Sequence, residues 1–354
     1  MASVRFKLSK YLTSILCRNC NILFSTNLKS FKNLRYVSTS TEPDDGRDPA
    51  PSFFNQDVQQ LLKKLTRIDL KKVYRKKKEE QSLESPEYKF LTDEQLNKLL
   101  KEFEDKANEK LQMPPVVKMR KDEQKVLDIE PALQGYSDAK FVFTDITYGL
   151  SNKERLVVVR DPDGTLREAS MQEHCRLSQL YVPMLGRQLT PPPMFQEEYL
   201  KLLLEQGEYE FILDRACVQF EPDDPEYHRV TQATYDHIDN CRKYETLRST
   251  RHFGPFAFYL AWHKQIDNLI LESIHTDRLD EAVALIQLFH ILNPESKSAS
   301  VAYSSQQVQF VQAYVESDAV KKSMLELALQ TFMELQKQRQ EVEEGIQKAH
   351  LCKV

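Results

Sequence analysis

The stretch FGPFAFYLAWHKQIDNLILESI (residues 253–274) gives the clearest indication of how this 354-residue chain folds, together with RLDEAVALIQLFHILNP (residues 278–294). Apolar side chains recur at helical spacing in both, so we predict one or two helices over the first stretch and one over the second. Asn293-Pro294 ends the latter helix. The only tryptophan, Trp262, lies among aromatic and leucine side chains and is predicted to be a core anchor.

Helical patterns extend from Ser170 almost to the end of the chain. Ser170 and Glu173 form a capping box, and Pro183 stops that helix near Val182. Further helices are predicted over residues 199–220 (two, about Gln206-Gly207), 222–241, 304–315 and 317–348. Because no fixed-period repeat is present, residues 170–354 are predicted to form an irregular helical bundle.

The region before Ser170 contains both helical and β-strand patterns. Residues 52–138 hold a helix from Ser52 to about Lys72 and a second one that starts at Thr92, whose capping box includes Gln95. Residues 139–169 then contain β-rich runs, KFVFTDITY (140–148), ERLVVVRD (154–161) and TLREA (165–169), which predict an antiparallel meander of two or three strands. So few strands need helices over one face. The fold class is therefore α+β, mainly α: an irregular helical bundle with a small antiparallel β meander.

The first 41 residues differ in composition from the rest, with seven basic residues and no acidic one. Their early part has an amphipathic helical pattern, which is typical of a mitochondrial presequence. Because RYVS (35–38) resembles a matrix-protease site, we predict a presequence over residues 1–37, followed by a disordered linker over residues 38–51. A secretory signal and a disordered basic tail are the alternatives.

The charge of the chain is unevenly distributed. Of 49 basic residues seven precede Glu42, so residues 42–354 carry 42 basic and 53 acidic groups, a net charge of −11. A body this acidic argues against nucleic-acid contact over most of its surface. Between Glu197 and Glu226 ten acids stand against Lys201 and Arg215, so we expect this segment to face solvent or a basic protein.

Two basic segments are candidates for local phosphate contact. The first runs from residue 63 to 78 and has nine cations and one acid, Asp69; its rRNA-contact candidates are Lys63, Lys64, Lys71, Lys72, Arg75, Lys76, Lys77 and Lys78. A solvated face or a second targeting remnant would have the same composition. The second segment offers Arg242, Lys243, Arg248 and Arg251 beside aromatic residues. As the alternative, Arg248 and Arg251 pair with carboxylates of neighbouring helices.

Several activities lack their sequence motifs. The eight glycines are never closer than 14 positions apart, which excludes P-loops, dinucleotide-binding loops and nucleophile elbows, and no histidine precedes a glutamate as in HExxH. His237 and Cys241 are one helical turn apart, but two ligands make no structural metal site. No apolar run approaches the ~18 residues of a membrane span. We therefore predict no catalytic residue, no metal, no cofactor, no small-molecule substrate and no membrane contact.

Several blocks of the sequence resemble a known family. They include LQMPPVV (111–117), KFVFTDITY, ERLVVVRDPDGTLREAS (154–170), VQFEPDDPEY (218–227), TYDHIDNCRKYETLRSTRHFG (234–254) and FHILNP (289–294). In the same order, over about Ser52 to Leu335, they resemble the mitochondrial small-subunit ribosomal protein family numbered twenty-two, a mitochondrion-specific addition to the ribosome without a bacterial counterpart. The resemblance implies a non-catalytic structural component of the body of that subunit, in contact with other ribosomal proteins and some small-subunit rRNA.

These observations predict a matrix protein of the mitochondrial small ribosomal subunit that supports mitochondrial translation. Its partners would be other mitochondrial small-subunit ribosomal proteins and the small-subunit rRNA. The alternatives are a matrix interaction scaffold that acts mainly in small-subunit assembly and an unrecognised matrix enzyme.

Overall fold

The computed structural model describes residues 47–74, Tyr88, and residues 90–150, 154–300 and 306–351. The predicted presequence lies outside the described residues, as does most of the predicted linker. Residues from Asp48 onward form one compact unit. The first helix begins at Pro49, inside the predicted linker, because the Asp48 carboxylate accepts a hydrogen bond from the Ala50 N–H and caps it.

The described N-terminal residues contain four helices: α1 (Pro49–Phe53), α2 (Gln56–Thr66), α3 (Leu70–Val73) and α4 (Asp93–Lys110). The prediction of one helix from Ser52 to Lys72 is wrong. Asn55 caps a new helix start, and Arg67 has a φ of 55°, which ends α2. The capping box of Thr92 and Gln95 at the start of α4 is confirmed.

A four-stranded antiparallel sheet follows: β1 (Val126–Ile129), β2 (Phe141–Thr144), β3 (Val157–Arg160) and β4 (Thr165–Glu168), in the order β1-β4-β3-β2. The predicted meander of two or three strands is confirmed as β2, β3 and β4, and β1 is an addition to it. Because β1 is short, exposed along its length and interrupted by Asp128, it lacks the alternation that marks a half-buried strand. The sheet therefore has edges at β1 and β2.

Helix α5 (Met171–Tyr181) follows β4 directly. Its start at Ser170, with the predicted capping box to Glu173, is confirmed. The Glu173 carboxylate forms an ion pair with Arg167 of β4, at 2.9 Å. Arg167 is opposite Val159, which is buried with Val157, so Glu173 of α5 contacts the face of the sheet that bears these side chains.

The remaining helices form the bundle: α6 (Glu197–Gln206), α7 (Tyr209–Gln219), α8 (Pro225–Cys241), α9 (Phe253–Trp262), α10 (Asp267–His275), α11 (Leu279–Leu292), α12 (Gln307–Ser317) and α13 (Lys322–Leu351). The predicted division at Gly207 is confirmed, since this residue has a φ of 83° and ends α6. The stretch 253–274 is two helices.

The core of the bundle is built around α9 and α11. Helix α2 packs on both of them, α10 packs on α11 and α13, and α12 packs on α11. Aromatic side chains of α9 fill the centre, with Phe253, Phe256 and Phe258 buried. Trp262 is partly buried against this core and stacks on Phe258 at 5.7 Å between ring centroids, which confirms its predicted role.

Candidate nucleic-acid interface

Three cations of the first basic segment lie on the outer side of α2 and α3. Helix α2 buries Val58, Leu62 and Leu65 against the bundle, so the intervening Lys63 and Lys64 point to solvent. Lys71 is exposed on α3. No described residue forms an ion pair with Lys63, Lys64 or Lys71. The continuation of this segment, Arg75, Lys76, Lys77 and Lys78, lies outside the described residues.

Lys72 is directed inward. Its ammonium group donates hydrogen bonds to the backbone carbonyls of Glu245, at 3.0 Å, Thr246, at 2.9 Å, and Arg248. Burial lowers the pKa of Lys72 from its ordinary value, against the raising effect of nearby carboxylates. All three donors of the ammonium group are used within the fold, so Lys72 holds α3 against residues 245–248, and we do not include it in the proposed phosphate contact.

Arg248 is buried, with 3% of its surface exposed. Its guanidinium group pairs with Glu281 and Glu272, both at 3.1 Å, and donates a hydrogen bond to the carbonyl of Leu65. Burial lowers the pKa of Arg248, and the two carboxylates oppose this shift. The alternative for Arg248, pairing with carboxylates of neighbouring helices, is therefore confirmed, and we do not include Arg248 in the proposed phosphate contact.

Arg67 is a residue whose role the sequence did not reveal. Its guanidinium group binds both carboxylate oxygens of Glu281 and also reaches Glu245 at 3.0 Å. Burial lowers its pKa, but the hydrogen bond and the charges of these carboxylates outweigh that effect and raise the pKa overall. Arg67 and Arg248 thus share one buried carboxylate, Glu281, which is 3% exposed.

Arg251 is also occupied within the fold. Its guanidinium group lies 2.7 Å from the carboxylate of Asp214. The same carboxylate lies 2.9 Å from Nε2 of the buried His252 imidazole. Although burial acts to raise the pKa of Asp214, these two partners lower it well below its usual range. The alternative predicted for Arg251, pairing with a carboxylate of a neighbouring helix, is confirmed, and phosphate contact by Arg251 stays a prediction.

Arg242 and Lys243 remain exposed at the end of α8. Arg242 has the left-handed conformation that ends this helix. The Nζ atom of Lys243 lies 5.9 Å from the ring centroid of Tyr209. Since Lys72, Arg67 and Thr66 bond to residues 245–249, the structure brings the two basic segments next to each other, which their separation in sequence did not indicate.

The acidic segment between Glu197 and Glu226 contains two groups of carboxylates, one paired with arginines of the fold and one exposed. Asp214, Glu221, Asp223 and Glu226 have arginine partners in Arg251, Arg187, Arg120 and Arg229. Glu197, Glu198 and Glu205 of α6 are exposed, next to the exposed apolar side chains of Tyr199 and Leu202. An acidic surface that also presents apolar side chains repels phosphate and suits a basic protein.

The remaining sequence features concern a possible metal site at His237 and Cys241 and possible membrane spans. The thiol of Cys241 is 3.8 Å from the ring of His237, whose Nδ1 also lies 3.0 Å from the hydroxyl of Tyr209. Within the part of the chain that the structure describes, no three histidine, cysteine or acidic side chains form a group that could hold a metal. None of the described helices is long and apolar enough to cross a membrane.

The described residues form a mainly helical α+β protein with exposed cations on α2, α3 and the end of α8 and exposed carboxylates on α6. Comparison with known proteins gives the family: its model, described as mitochondrial 28S ribosomal protein S22, matches residues 51–294. The small ribosomal subunit protein mS22 of Mus musculus is 39% identical over 303 residues, and that of Bos taurus 37% over 302. Each alignment covers 85% of this chain and 84% of the relative. The chain belongs to this family of mitochondrial ribosomal proteins.

Proposed function

We propose that the chain is a structural, non-catalytic component of the small ribosomal subunit in the mitochondrial matrix and supports mitochondrial translation from there. The observation that carries this proposal is the similarity over 85% of the chain to relatives named as small-subunit proteins. Because the family model matches residues 51–294, the likeness includes the sheet and the bundle as far as α11. The mechanism is architectural: the folded chain holds its partners in place.

The rRNA contact in this proposal is local. Lys63, Lys64 and Lys71 supply it from α2 and α3, together with the adjoining cations 75–78, and Arg242 and Lys243 supply it from the end of α8. Their exposure and the absence of described ion partners at the three lysines support this assignment. Phosphate contacts of this type position a protein on its RNA without reading the base sequence.

Most of the remaining contact is with protein. The exposed carboxylates of α6 stand beside Tyr199 and Leu202, and the open face of the sheet presents further apolar side chains. Other small-subunit ribosomal proteins with basic surfaces fit this combination, because opposite charge guides the approach and apolar burial supplies affinity.

The triple variant Lys63→Gln, Lys64→Gln, Lys71→Gln tests the rRNA contact. We expect it to leave purified small subunits at lower KCl concentration than the natural chain and to lose its UV crosslinks to rRNA at α2 and α3. Each phosphate contact contributes about one unit to the dependence of log affinity on log salt, so the slope should fall by about three. Thermal unfolding of the free protein should be unchanged, since these side chains are exposed.

A matched control removes the same charge elsewhere. The variant Lys98→Gln, Lys101→Gln, Lys106→Gln alters exposed lysines of α4. We expect its salt release and its rRNA crosslinks to equal those of the natural chain. Equal behaviour of both triple variants would contradict phosphate contact by α2 and α3.

A further inference from the structure

The two edges of the sheet differ in how well they are protected against pairing. Strand β1 has an irregular register between Val126 and Asp128 and carries the Asp128 charge in its centre. Strand β2, with the sequence FVFT, has a regular register and contains no charge, proline or bulge. Bulges and charges are the usual means of blocking strand addition. Strand β2 therefore presents an edge that is open to a further strand.

The hydrogen-bond pattern identifies the outward groups of β2. The N–H of Asp145 donates to the carbonyl of Leu156, whereas the Val157 carbonyl accepts from Ala169 on the other side of β3. Since bonded pairs alternate along an antiparallel ladder, Phe141 and Phe143 bond to β3. The N–H and C=O groups of Val142 and Thr144 then point away from the sheet, where no described strand pairs with them.

The side chains on the same strand are also uncovered. Phe141 and Phe143 are on the face opposite α5, with 47% and 55% of their surfaces exposed. Leu156, which precedes β3, is 55% exposed. An edge strand with unpaired backbone groups and exposed aromatic side chains would bind an extended segment by main-chain hydrogen bonds and apolar contacts at once.

Charge distinguishes between protein and RNA as the occupant. Residues 121–169 contain seven basic and ten acidic side chains, a net charge of −3. Of the basic ones, Arg160 and Arg167 are in ion pairs with Glu130 and Asp161, and Arg155 is buried. Exposed aromatic side chains on a sheet can stack on RNA bases, but RNA binding of that kind also needs a positive surface.

We propose that β2 pairs with a β-strand of a neighbouring protein, an apolar extended segment flanked by lysine or arginine. The partner strand extends the sheet from four strands to five and covers Phe141 and Phe143. This inference rests on the proposed function, because it places the partner within the assembled subunit.

Residue-resolved hydrogen exchange, compared between the free protein and the purified small subunit, tests the pairing. In the free protein the amides of Val142 and Thr144 should exchange fast and those of Phe141 and Phe143 slowly, because only the latter bond to β3. In the subunit, exchange at Val142 and Thr144 should slow at least about 100-fold. Unchanged fast exchange at these two amides in the subunit would overturn the inference while leaving the proposed function intact.

The variant Val142→Pro removes one outward N–H without removing a bond to β3, which an edge strand tolerates. We expect it to keep the thermal stability of the natural chain and to enter the small subunit at least about threefold less efficiently. The control Val142→Thr keeps the N–H and the branched side chain, and it should assemble normally. Normal assembly of the proline variant would contradict strand addition.

A photo-crosslinking amino acid at Phe143 identifies the occupant in assembled subunits. The expected product resists ribonuclease and contains one extended peptide with basic flanks from a single ribosomal protein. A product with rRNA, or no product, would overturn the inference. Absence of the natural chain from the small subunit would instead contradict the proposed function itself.

Discussion

The substitution Glu281→Ala is expected to lower the free energy of unfolding by about 3–5 kcal/mol. The Glu281 carboxylate is buried between the guanidinium groups of Arg67 and Arg248. Without it, Arg248 keeps only Glu272 as a carboxylate partner, and two cations face each other in the interior. The loss is large because an uncompensated buried charge remains after one partner is removed.

Urea unfolding of the recombinant protein measures this loss, and Glu245→Ala is the matched control. Glu245 pairs with the same Arg67, but its side chain is 70% exposed. Solvent screening limits the contribution of such a pair to less than about 1 kcal/mol. If both variants lost the same small amount of stability, the carboxylate of Glu281 would not hold α2 to residues 245–249.

The substitution Asp267→Ala is expected to lower the free energy of unfolding by about 2–4 kcal/mol. The Asp267 carboxylate accepts hydrogen bonds from the Tyr314 hydroxyl and from the N–H groups of Val320 and Lys321, each at 2.8 Å. It thereby fixes the connection between α12 and α13 to the start of α10. Alanine leaves these three donors without their acceptor, in a partly or fully buried setting.

The control Tyr314→Phe removes one of those three bonds and leaves none of the other donors unpaired. We expect it to lower the free energy of unfolding by only about 1 kcal/mol, as for an ordinary hydrogen bond. Thermal unfolding in parallel with Asp267→Ala distinguishes the two variants. A phenylalanine variant as unstable as the alanine variant would show that the two N–H groups contribute nothing.

Locally determined features were predictable from sequence. The capping boxes at Thr92 and Ser170 and the helix end at Gly207 each depend on residues within one turn of each other, and the structure confirms all three. The break at Arg67 was not predictable. A positive φ at a residue other than glycine costs about 1 kcal/mol or more, and here it is offset by ion pairs with Glu245 and Glu281, which are distant in sequence.

Which cations face solvent was likewise not predictable from sequence. Lys71 and Lys72 are adjacent and alike in sequence, yet the first is exposed and the second is bonded to three carbonyls. Arg248 finds its carboxylates on α10 and α11, and only the packing of those helices reveals them. Charge clustering identified two basic segments, but whether a cation in them faces outward or into the protein depends on tertiary contacts.

The net negative charge of the chain agrees with the division of its cations into buried or paired ones and exposed ones. Several of its arginines are used inside the fold, and three lysines of α2 and α3 remain exposed without a described ion partner. This distribution of charge agrees with the proposed restricted contact with rRNA and broader contact with protein.

Sucrose-gradient sedimentation of a mitochondrial lysate tests the central claim most directly. A structural component must migrate with the small subunit in an amount equal to that of other small-subunit proteins, and we predict this result. The chain should remain there when the subunits are purified at physiological salt. Its presence mainly in the light fractions would contradict a structural role and favour a scaffold that acts only during assembly.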